Sequence, residues 1–453
     1  MVKVITYGTY DHLHYGHIRL LRRAKALGDY LIVGVTADDF DKTRGKINVQ
    51  QQLMERIEAV RATGIADEII VEEYEGQKID DIRRYDVDIF TVGSDWKGQF
   101  DYLNEYCKVI YLDRTDGVSS SELRAKECST RMGFVGETSV FRKYFEESAY
   151  VNGIQQTCIY SGDAEMRALC RRSGADVAQS YEELLEKVDA VNIVSHPTLH
   201  YVQVKQALES GKHVLVESPV AMSAADCREL FALAKARGLV LMDAIKTAYA
   251  TAYNRLLLLL KSGKIGRILS VDATCTSLHD RQHKKDRFAQ TWNSVCCWGP
   301  TAMLPIFQIL GTSPADIRLT SMYLDSERSF DLFTRGTFEY SDAVASFKVG
   351  KGVKSEGELV VSGTDGYLYV PAPWWKTDYF EIRCENPADN RRYFYQLDGE
   401  GIRYTWVTFL RTIETGKPCE YVSEAVSEKI AEIVERCLTK RDVTILRSET
   451  LKN

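Results

Sequence analysis

Apolar positions along the chain come mostly in short runs of four to seven residues, and the spacing between the runs shows the organisation. Residues 2–7 form one run, followed by a Gly/His-rich turn and a segment over 18–27 with helical periodicity. This predicts a strand, a tight turn and a helix. Further strands are predicted at 30–35, 68–71, 89–92 and 109–112, with helices at 53–61 and 78–84. Short apolar strands alternating with helices predict a parallel, doubly wound sheet. This part closes with a helix at 121–126, and the polar segment 127–130 leads to a second start. There, an apolar run at 131–135 is followed by Gly136 and a helix from about residue 140. The alternation resumes with strands at 157–160, 190–194, 213–216 and 240–242, and helices such as 164–172 and 202–210. Beyond about residue 265 the period changes to two, with strands predicted at 268–276, 316–324, 334–340, 343–349, 357–362, 367–370 and 380–384. Consecutive strands separated by turn residues predict an antiparallel sheet. Closing helices at 404–415 and 423–439 are expected to pack back on that sheet.

Composition narrows the function classes. A chain of 453 residues with 45% hydrophobic and 27% charged residues holds several packed domains and is not disordered, collagenous or a coiled-coil rod. A net charge of −6 gives no basic surplus for nucleic acid or an anionic membrane. Eleven cysteines never form a CxxC pair, and with no basic-then-apolar leader they read as reduced thiols in a cytoplasmic protein. No apolar run approaches the ~18 residues of a membrane helix.

The segment TYGTYDHLHYGH carries the strongest chemical signal. His14 and His17 bracket Gly16 at the mouth of the helix that follows the first strand. Gly16 allows backbone to approach a ligand, and the helix start offers free N–H groups and a partial positive charge to phosphate. Two imidazoles there can stabilise charge that grows on phosphate oxygens during displacement at phosphorus.

With the blocks LLRRAKALGDYLIVGV, QKIDDI, DIFTVGSDWKGQFDYL and YLDRTDGVSSSELR, this segment resembles the cytidylyltransferase family, in particular the CTP:glycerol-3-phosphate cytidylyltransferases, over about residues 2–126. The resemblance implies that His14 and His17 contact the CTP phosphates as catalytic residues. It implies that Arg114, Thr115, Ser119 and Ser120 hold the outer phosphates. It places Gly93, Asp95 and Trp96 by the ribose and base, and Thr9, Tyr10 and Asp11 in the phosphate and acceptor region. It makes Lys46 the mobile-loop lysine. Mg²⁺ bridging the triphosphate, with Asp11 as its protein ligand, is implied in the same way. Residues 60–67 depart from the family pattern, and the tryptophan expected before Gln77–Lys78 is missing, with Tyr74 nearby. Both departures fall on the acceptor side, so the alcohol phosphate is left open.

The block VNIVSHPTLHYVQVKQALESGKHVLVESP, with KSGKIGRI and GTDGYLYVPAPWWKTDYFEI, resembles the Gfo/Idh/MocA oxidoreductases over about residues 131–439. The implied architecture is α/β: a Rossmann-like nucleotidyltransferase domain (1–127) fused to a dinucleotide-binding Rossmann domain (131–245) and an open-faced antiparallel-sheet domain (246–445). NAD(P) is the implied cofactor. Its candidate binding residues are Gly133, Gly136 and Thr138 after the first strand, Ser161 after the second, His200, and Glu217 and Pro219 after the fourth; Asp163 is a secondary ribose candidate. The glycine fingerprint is incomplete, because Thr138 stands where a glycine is expected. The family lysine between glutamate and proline is Ser218 here, and a serine supplies no ammonium. Lys246 is the candidate catalytic replacement, with Tyr249 second. His279 and His283 stand on a polar loop, and the flanks of Cys296 and Cys297 suggest packing.

The sequence therefore predicts a bifunctional enzyme. One half transfers a cytidylyl group from CTP to a polyol phosphate, as in the supply of cell-surface polysaccharide or teichoic acid precursors. The other performs NAD(P)-dependent redox on a related polyol or its carbonyl precursor. In the alternative reading, the second half is a non-redox binding or dimerising module. The expected partners are these small molecules and further copies of the chain, as a homodimer or higher homo-oligomer.

Overall fold

The computed structural model describes residues 1–446 except 12, 14, 38–48, 50, 74–75, 114–128, 138, 152, 279–292, 324–330, 396 and 420, and the side chains of Asp95, Ser139 and Asp398. The chain divides into two compact units, Met1–Ser129 and Thr130–Asn453.

The first unit contains a five-stranded, wholly parallel sheet in the order β3-β2-β1-β4-β5. Its strands are β1 (Lys3–Gly8), β2 (Tyr30–Thr36), β3 (Glu68–Glu72), β4 (Ile89–Gly93) and β5 (Lys108–Leu112). Successive residues of β1 and β2 enter opposite cores: Val4, Leu31 and Val33 join one, Ile5 and Ile32 the other. A sheet covered on both faces needs such unbroken apolar strands. The first helix spans Tyr15–Lys25, three residues earlier than its apolar periodicity indicates, so Gly16 and His17 lie in its first turn. Order reverses between β1 and β4, and in such sheets the ligand crevice lies outside the carboxyl ends at that point.

The second unit begins with a six-stranded parallel sheet, β11-β10-β9-β6-β7-β8. Its strands are β6 (Thr130–Gly136), β7 (Ile154–Tyr160), β8 (Asp176–Val177), β9 (Ala190–Val194), β10 (His213–Val216) and β11 (Leu241–Asp243). This is the 3-2-1-4-5-6 order of a dinucleotide-binding sheet. A nine-stranded sheet follows, with β12 (Ile268–Thr276), β13 (Asp316–Tyr323), β14 (Asp331–Glu339), β15 (Val344–Gly350), β16 (Leu359–Gly363), β17 (Tyr367–Val370), β18 (Tyr379–Arg383), β19 (Arg391–Phe394) and β20 (Val443–Ile445).

Two sequence expectations need correction here. The large sheet is mixed: chain neighbours pair antiparallel, but β12 pairs parallel with β15, and β13 with β20. Alternation along the chain specifies faces, not which distant strand returns alongside. The closing helices touch that sheet only in part, as where Tyr323 Oη of β13 donates to the Cys437 carbonyl at 3.3 Å, and otherwise pack elsewhere than expected. Ile402–Thr415 lies against Ser139–Ser148, where Trp406 Nε1 donates to the Tyr144 carbonyl at 3.2 Å. Glu424–Thr439 sits between Ala224–Ala236 and Ser294–Leu310. The last helices therefore lock the dinucleotide sheet to the large one.

Candidate functional site

In the first unit, the turn after β1 is shaped by Tyr10. This residue has φ +56°, is 2% exposed and packs in the core with Leu21 and Val33. A Cβ on Gly8 would meet the Tyr10 ring at 2.9 Å, so glycine makes room for it. The ring stands edge-on to His17, with centroids 5.5 Å apart. Tyr10 is thus a core anchor that positions His17, not a residue open to substrate. Asp11 is buried and its Oδ1 accepts from the Gln51 backbone at 3.0 Å. The Thr9 and Thr36 carbonyls both accept from buried Arg56 Nη1, at 2.6 and 2.9 Å, so one guanidinium ties the turns after β1 and β2 together. Gly93 ends β4 and begins the turn holding Trp96, whose ring lies 5.8 Å from that of Phe100. His14, Lys46, Arg114, Thr115, Ser119, Ser120 and the Asp95 side chain lie outside the described residues.

Sequence reasoning missed a buried polar cluster beside this turn. Lys78 pairs with Glu72, and Glu72 also accepts from Thr36 Oγ1 at 2.9 Å. Tyr7 Oη donates to Asp81 at 2.8 Å, and burial, with Asp81 next in effect, pushes its hydroxyl pKa far up. The Lys78 ammonium lies 4.6 Å from the Tyr7 ring centroid and lines a small pocket with Thr36, Trp96 and Phe100. Asp81 sits one helical turn after both Gln77 and Lys78, at i+4 and i+3, which was the available signal.

In the second unit, a cleft of about 1500 Å³ lies between the carboxyl edge of the six-stranded sheet and the large sheet. Gly136, Ser161, Ser195, Glu217, Ser218 and Lys246 line the first wall, and Trp298, Lys351, Trp375 and Lys376 the second. Gly136 has φ +155°, and a Cβ there would meet the Val194 carbonyl oxygen at 2.5 Å. Its lack of a side chain lets the turn sit at the β6–β9 switch point, ahead of the helix Ser139–Ser148. That arrangement suits a dinucleotide pyrophosphate. Glu137, exposed, places its carboxylate against Gly162 at the end of β7.

Several predicted residues have structural roles instead. Gly133 lies within β6, where a Cβ would meet Leu184 Cδ2 at 2.7 Å; it allows the helix Tyr181–Lys187 to pack closely. Asp163 caps the helix Ala164–Arg172 by accepting from the Glu165 and Met166 backbones. His200 is fully buried, with Nδ1 2.8 Å from the Pro219 carbonyl and Nε2 3.0 Å from that of Ser195. Burial pulls its pKa down to about 4. It braces the two turns and does not line the cleft, where His196 stands. Pro219 is buried behind Ser218. Tyr249, also buried, donates its hydroxyl to the Asp243 carbonyl. Cys296 is buried as expected, whereas Cys297 lines the cleft. Thr138, His279 and His283 lie outside the described residues.

Two acidic groups stand where the sequence offers Glu217 and Ser218. Burial pushes the Glu217 carboxyl up to about 8, against the opposing charge of Lys246 and with help from Asp243. Its Oε2 is buried without a hydrogen-bond partner. Ser218 Oγ donates to Asp243 Oδ2 at 3.2 Å, and Ser427 Oγ donates to the same oxygen at 2.8 Å. Burial raises Asp243 to about 7 despite both bonds. Lys246 lines the cleft, but its ammonium rests on Glu400 Oε2 at 3.0 Å. Among the described residues, no group of three or more His, Cys, Asp or Glu gathers as a metal site. No helix among them is long and apolar enough to cross a membrane.

Two parallel sheets, one in each unit and each with a helix start at its switch point, define an α/β nucleotide-binding class of enzyme. Comparison with known proteins matches a family to each unit. The family described as cytidylyltransferase-like matches residues 5–126, and the oxidoreductase family with an NAD-binding Rossmann fold matches residues 130–244. The glycerol-3-phosphate cytidylyltransferase of Bacillus spizizenii is 49% identical over 124 residues, covering 27% of this chain and 95% of that protein. A trans-1,2-dihydrobenzene-1,2-diol dehydrogenase of Bos taurus is 26% identical over 267 residues, covering 56% of this chain and 79% of that protein. A 3-ketoreductase from Actinomadura kijaniata, solved with NADP and TDP-benzene, shares the second unit's fold at TM-score 0.62 and 19% identity, covering 70% of this chain and all of that one. The chain belongs to the cytidylyltransferase family through its first unit, and residues 130–244 of its second unit match the Gfo/Idh/MocA oxidoreductase family.

Proposed function

We propose that the protein is a bifunctional enzyme. The first unit transfers the cytidylyl group of CTP to a polyol phosphate, releasing pyrophosphate. The second interconverts a related polyol and its carbonyl form with NAD(P). The observation that carries the first assignment is His17 in the opening turn of a helix at the switch point, its ring set by Tyr10. An imidazole there, with the helix N–H groups, stabilises charge developing on the phosphates. His14, Lys46, Arg114, Thr115, Ser119 and Ser120 complete the phosphate site by family resemblance. Mg²⁺ takes few protein oxygens and keeps water and phosphate for the rest. The single buried carboxylate of Asp11 at the turn fits that need.

In the second unit, the turn at Gly136 receives the dinucleotide pyrophosphate, and the Glu137 carboxylate beside Gly162 meets the adenosine ribose. When bound, the reduced nicotinamide supplies hydride to a substrate carbonyl. Glu217, protonated near neutral pH with Oε2 unpartnered, supplies the proton to the carbonyl oxygen. Lys246 then favours the carboxylate that remains. Glu217 thus takes the part that the missing lysine at Ser218 leaves open. Exposed Phe394 and half-buried Tyr379, tilted rings with centroids 4.6 Å apart on the paired strands β18 and β19 at one edge of the large sheet, support a homo-oligomer formed through that part of it. The reading is tested by supplying CTP, Mg²⁺ and a panel of alcohol phosphates and following pyrophosphate release, with NAD(P)H oxidation against the matching ketones in parallel. If no alcohol phosphate releases pyrophosphate, the first assignment falls. If no nicotinamide dinucleotide binds at millimolar concentration, the second half is a non-redox module.

A further inference from the structure

Three lysines from three separate elements converge on one carboxylate inside the second unit's cleft. Lys376 Nζ lies 2.7 Å from Glu400 Oε1, while Lys246 and Lys143 each lie 3.0 Å from Oε2. Lys143 comes from the helix after β6, Lys246 from the turn after β11, and Lys376 from the turn before β18. All four residues line the cleft. Burial alone would raise the Glu400 pKa, but the ammoniums, Lys376 foremost, outweigh it and hold the carboxyl well below its usual range.

The turn that carries Glu400 is built to reach this point. Gly399, Glu400 and Gly401 have φ of +54°, +55° and +89° in succession. A Cβ on Gly401 would lie 3.2 Å from the Lys246 carbonyl oxygen, so the turn lies directly on that backbone. A glutamate at positive φ is disfavoured sterically and persists where its surroundings hold it. Here the lysines hold it.

The charges do not balance. Three ammoniums against one carboxylate leave a local surplus of two positive charges at the cleft wall; Lys143 is exposed, whereas Lys246 and Glu400 are largely shielded, so water screens their charges less than at an open surface. A carboxylate ligand would only reproduce the charge of Glu400. A phosphate monoester brings up to two negative charges and three terminal oxygens, one for each ammonium. Lys246 also lies beyond the edge strand of the six-stranded sheet, three strands away from the Gly136 turn on β6, and Lys376 belongs to the opposite wall. Lys246 and Lys376 therefore set the cluster toward the substrate side of the cleft, and Lys143 reaches it from the helix that follows the Gly136 turn.

We propose that Lys143, Lys246 and Lys376 form the binding site for the phosphate of a phosphorylated hydroxyketone, with Glu400 as a built-in stand-in that the substrate displaces. The proposal rests on the redox reading above and names its substrate class. Hydride adds to the ketone carbon, the oxygen takes a proton, NAD(P)H becomes NAD(P)⁺, and the phosphate is untouched. The product is an alcohol phosphate, the class of acceptor that the first unit is proposed to use.

The test uses the full chain with inorganic phosphate as the calorimetric probe, and dihydroxyacetone phosphate against dihydroxyacetone as ketones with NADH and NADPH. Phosphate bound by the first unit is a common background, because its residues are unaltered in every variant. Lys376→Met should weaken phosphate binding in the second unit at least tenfold. Glu400→Gln, which removes the competing carboxylate, should tighten it at least tenfold. Melting curves check that each variant is folded, and should the glutamine variant unfold, the methionine variant decides alone. Phosphate affinity unchanged in folded Lys376→Met overturns the proposal. So does faster turnover of dihydroxyacetone than of its phosphate. If phosphate binding responds as expected but no nicotinamide dinucleotide binds, the phosphate site stands and the redox reading fails.

Discussion

The Lys246 ammonium lies 3.0 Å from the Glu400 carboxylate, although 154 residues separate them in the chain. Lys246 is also the largest charge influence on Glu217, whose proton it makes easier to lose. Its position therefore links the charged cluster to the proposed proton donor.

This link sets a pH dependence. Carbonyl reduction by the second unit needs Glu217 protonated, so its rate should fall as pH rises through about 8. Lys246→Met removes a charge that lowers the Glu217 pKa, so the falling limb should move to higher pH and the KM for a phosphorylated ketone should rise. Glu217→Gln should abolish the limb and reduce turnover by about 10²–10⁴-fold, the usual worth of acid catalysis. Rate–pH profiles of NAD(P)H oxidation check all three, and an unmoved limb in Lys246→Met excludes the coupling.

His17→Ala should reduce cytidylyl transfer by about 10²–10³-fold, the scale of losing one donor to a developing charge. Tyr10 packs against His17 but is held by the core, so the fold should persist. Pyrophosphate release and the melting profile are the readouts, and activity like that of the parent chain would remove His17 from the mechanism.

Residues 1–129 should fold and transfer cytidylyl groups alone. The unit has a complete five-stranded sheet with a core on each face. Expression of this fragment and assay with CTP and glycerol 3-phosphate give the outcome. A soluble but inactive fragment beside an active full chain would show that the second unit completes the first site.

Gly136→Ala should destabilise the second unit by about 1–3 kcal/mol, because the new Cβ meets a carbonyl oxygen at a backbone angle that L-residues avoid. It should also lower nicotinamide dinucleotide affinity more than tenfold. Calorimetric titration with NADH and NADPH, beside a melting curve, measures both effects, and parental affinity would remove the Gly136 turn from the cofactor site.

Local features were readable from the chain where the chemistry is local. Unbroken apolar strands alternating with helices specified two parallel sheets, since a sheet covered on both faces needs both sides of each strand apolar. His17 and Gly16 were recognisable because strand, turn and helix follow one another directly in the chain, over Lys3–Lys25. The same holds for Gly136 at its turn. Tyr10 and His200 were expected at the sites by family resemblance; packing buries the first in its turn and the second in the helix Pro197–Glu209. The Lys143–Lys246–Lys376–Glu400 cluster has no local signal at all. Each member is an ordinary charged residue in its own segment, and their meeting depends on where the large sheet and its final turn close over the carboxyl edge of the dinucleotide sheet. Glu217 was visible beside Ser218, but its proton was not. Desolvation by residues distant in sequence raises its pKa, and that is a property of the tertiary fold alone.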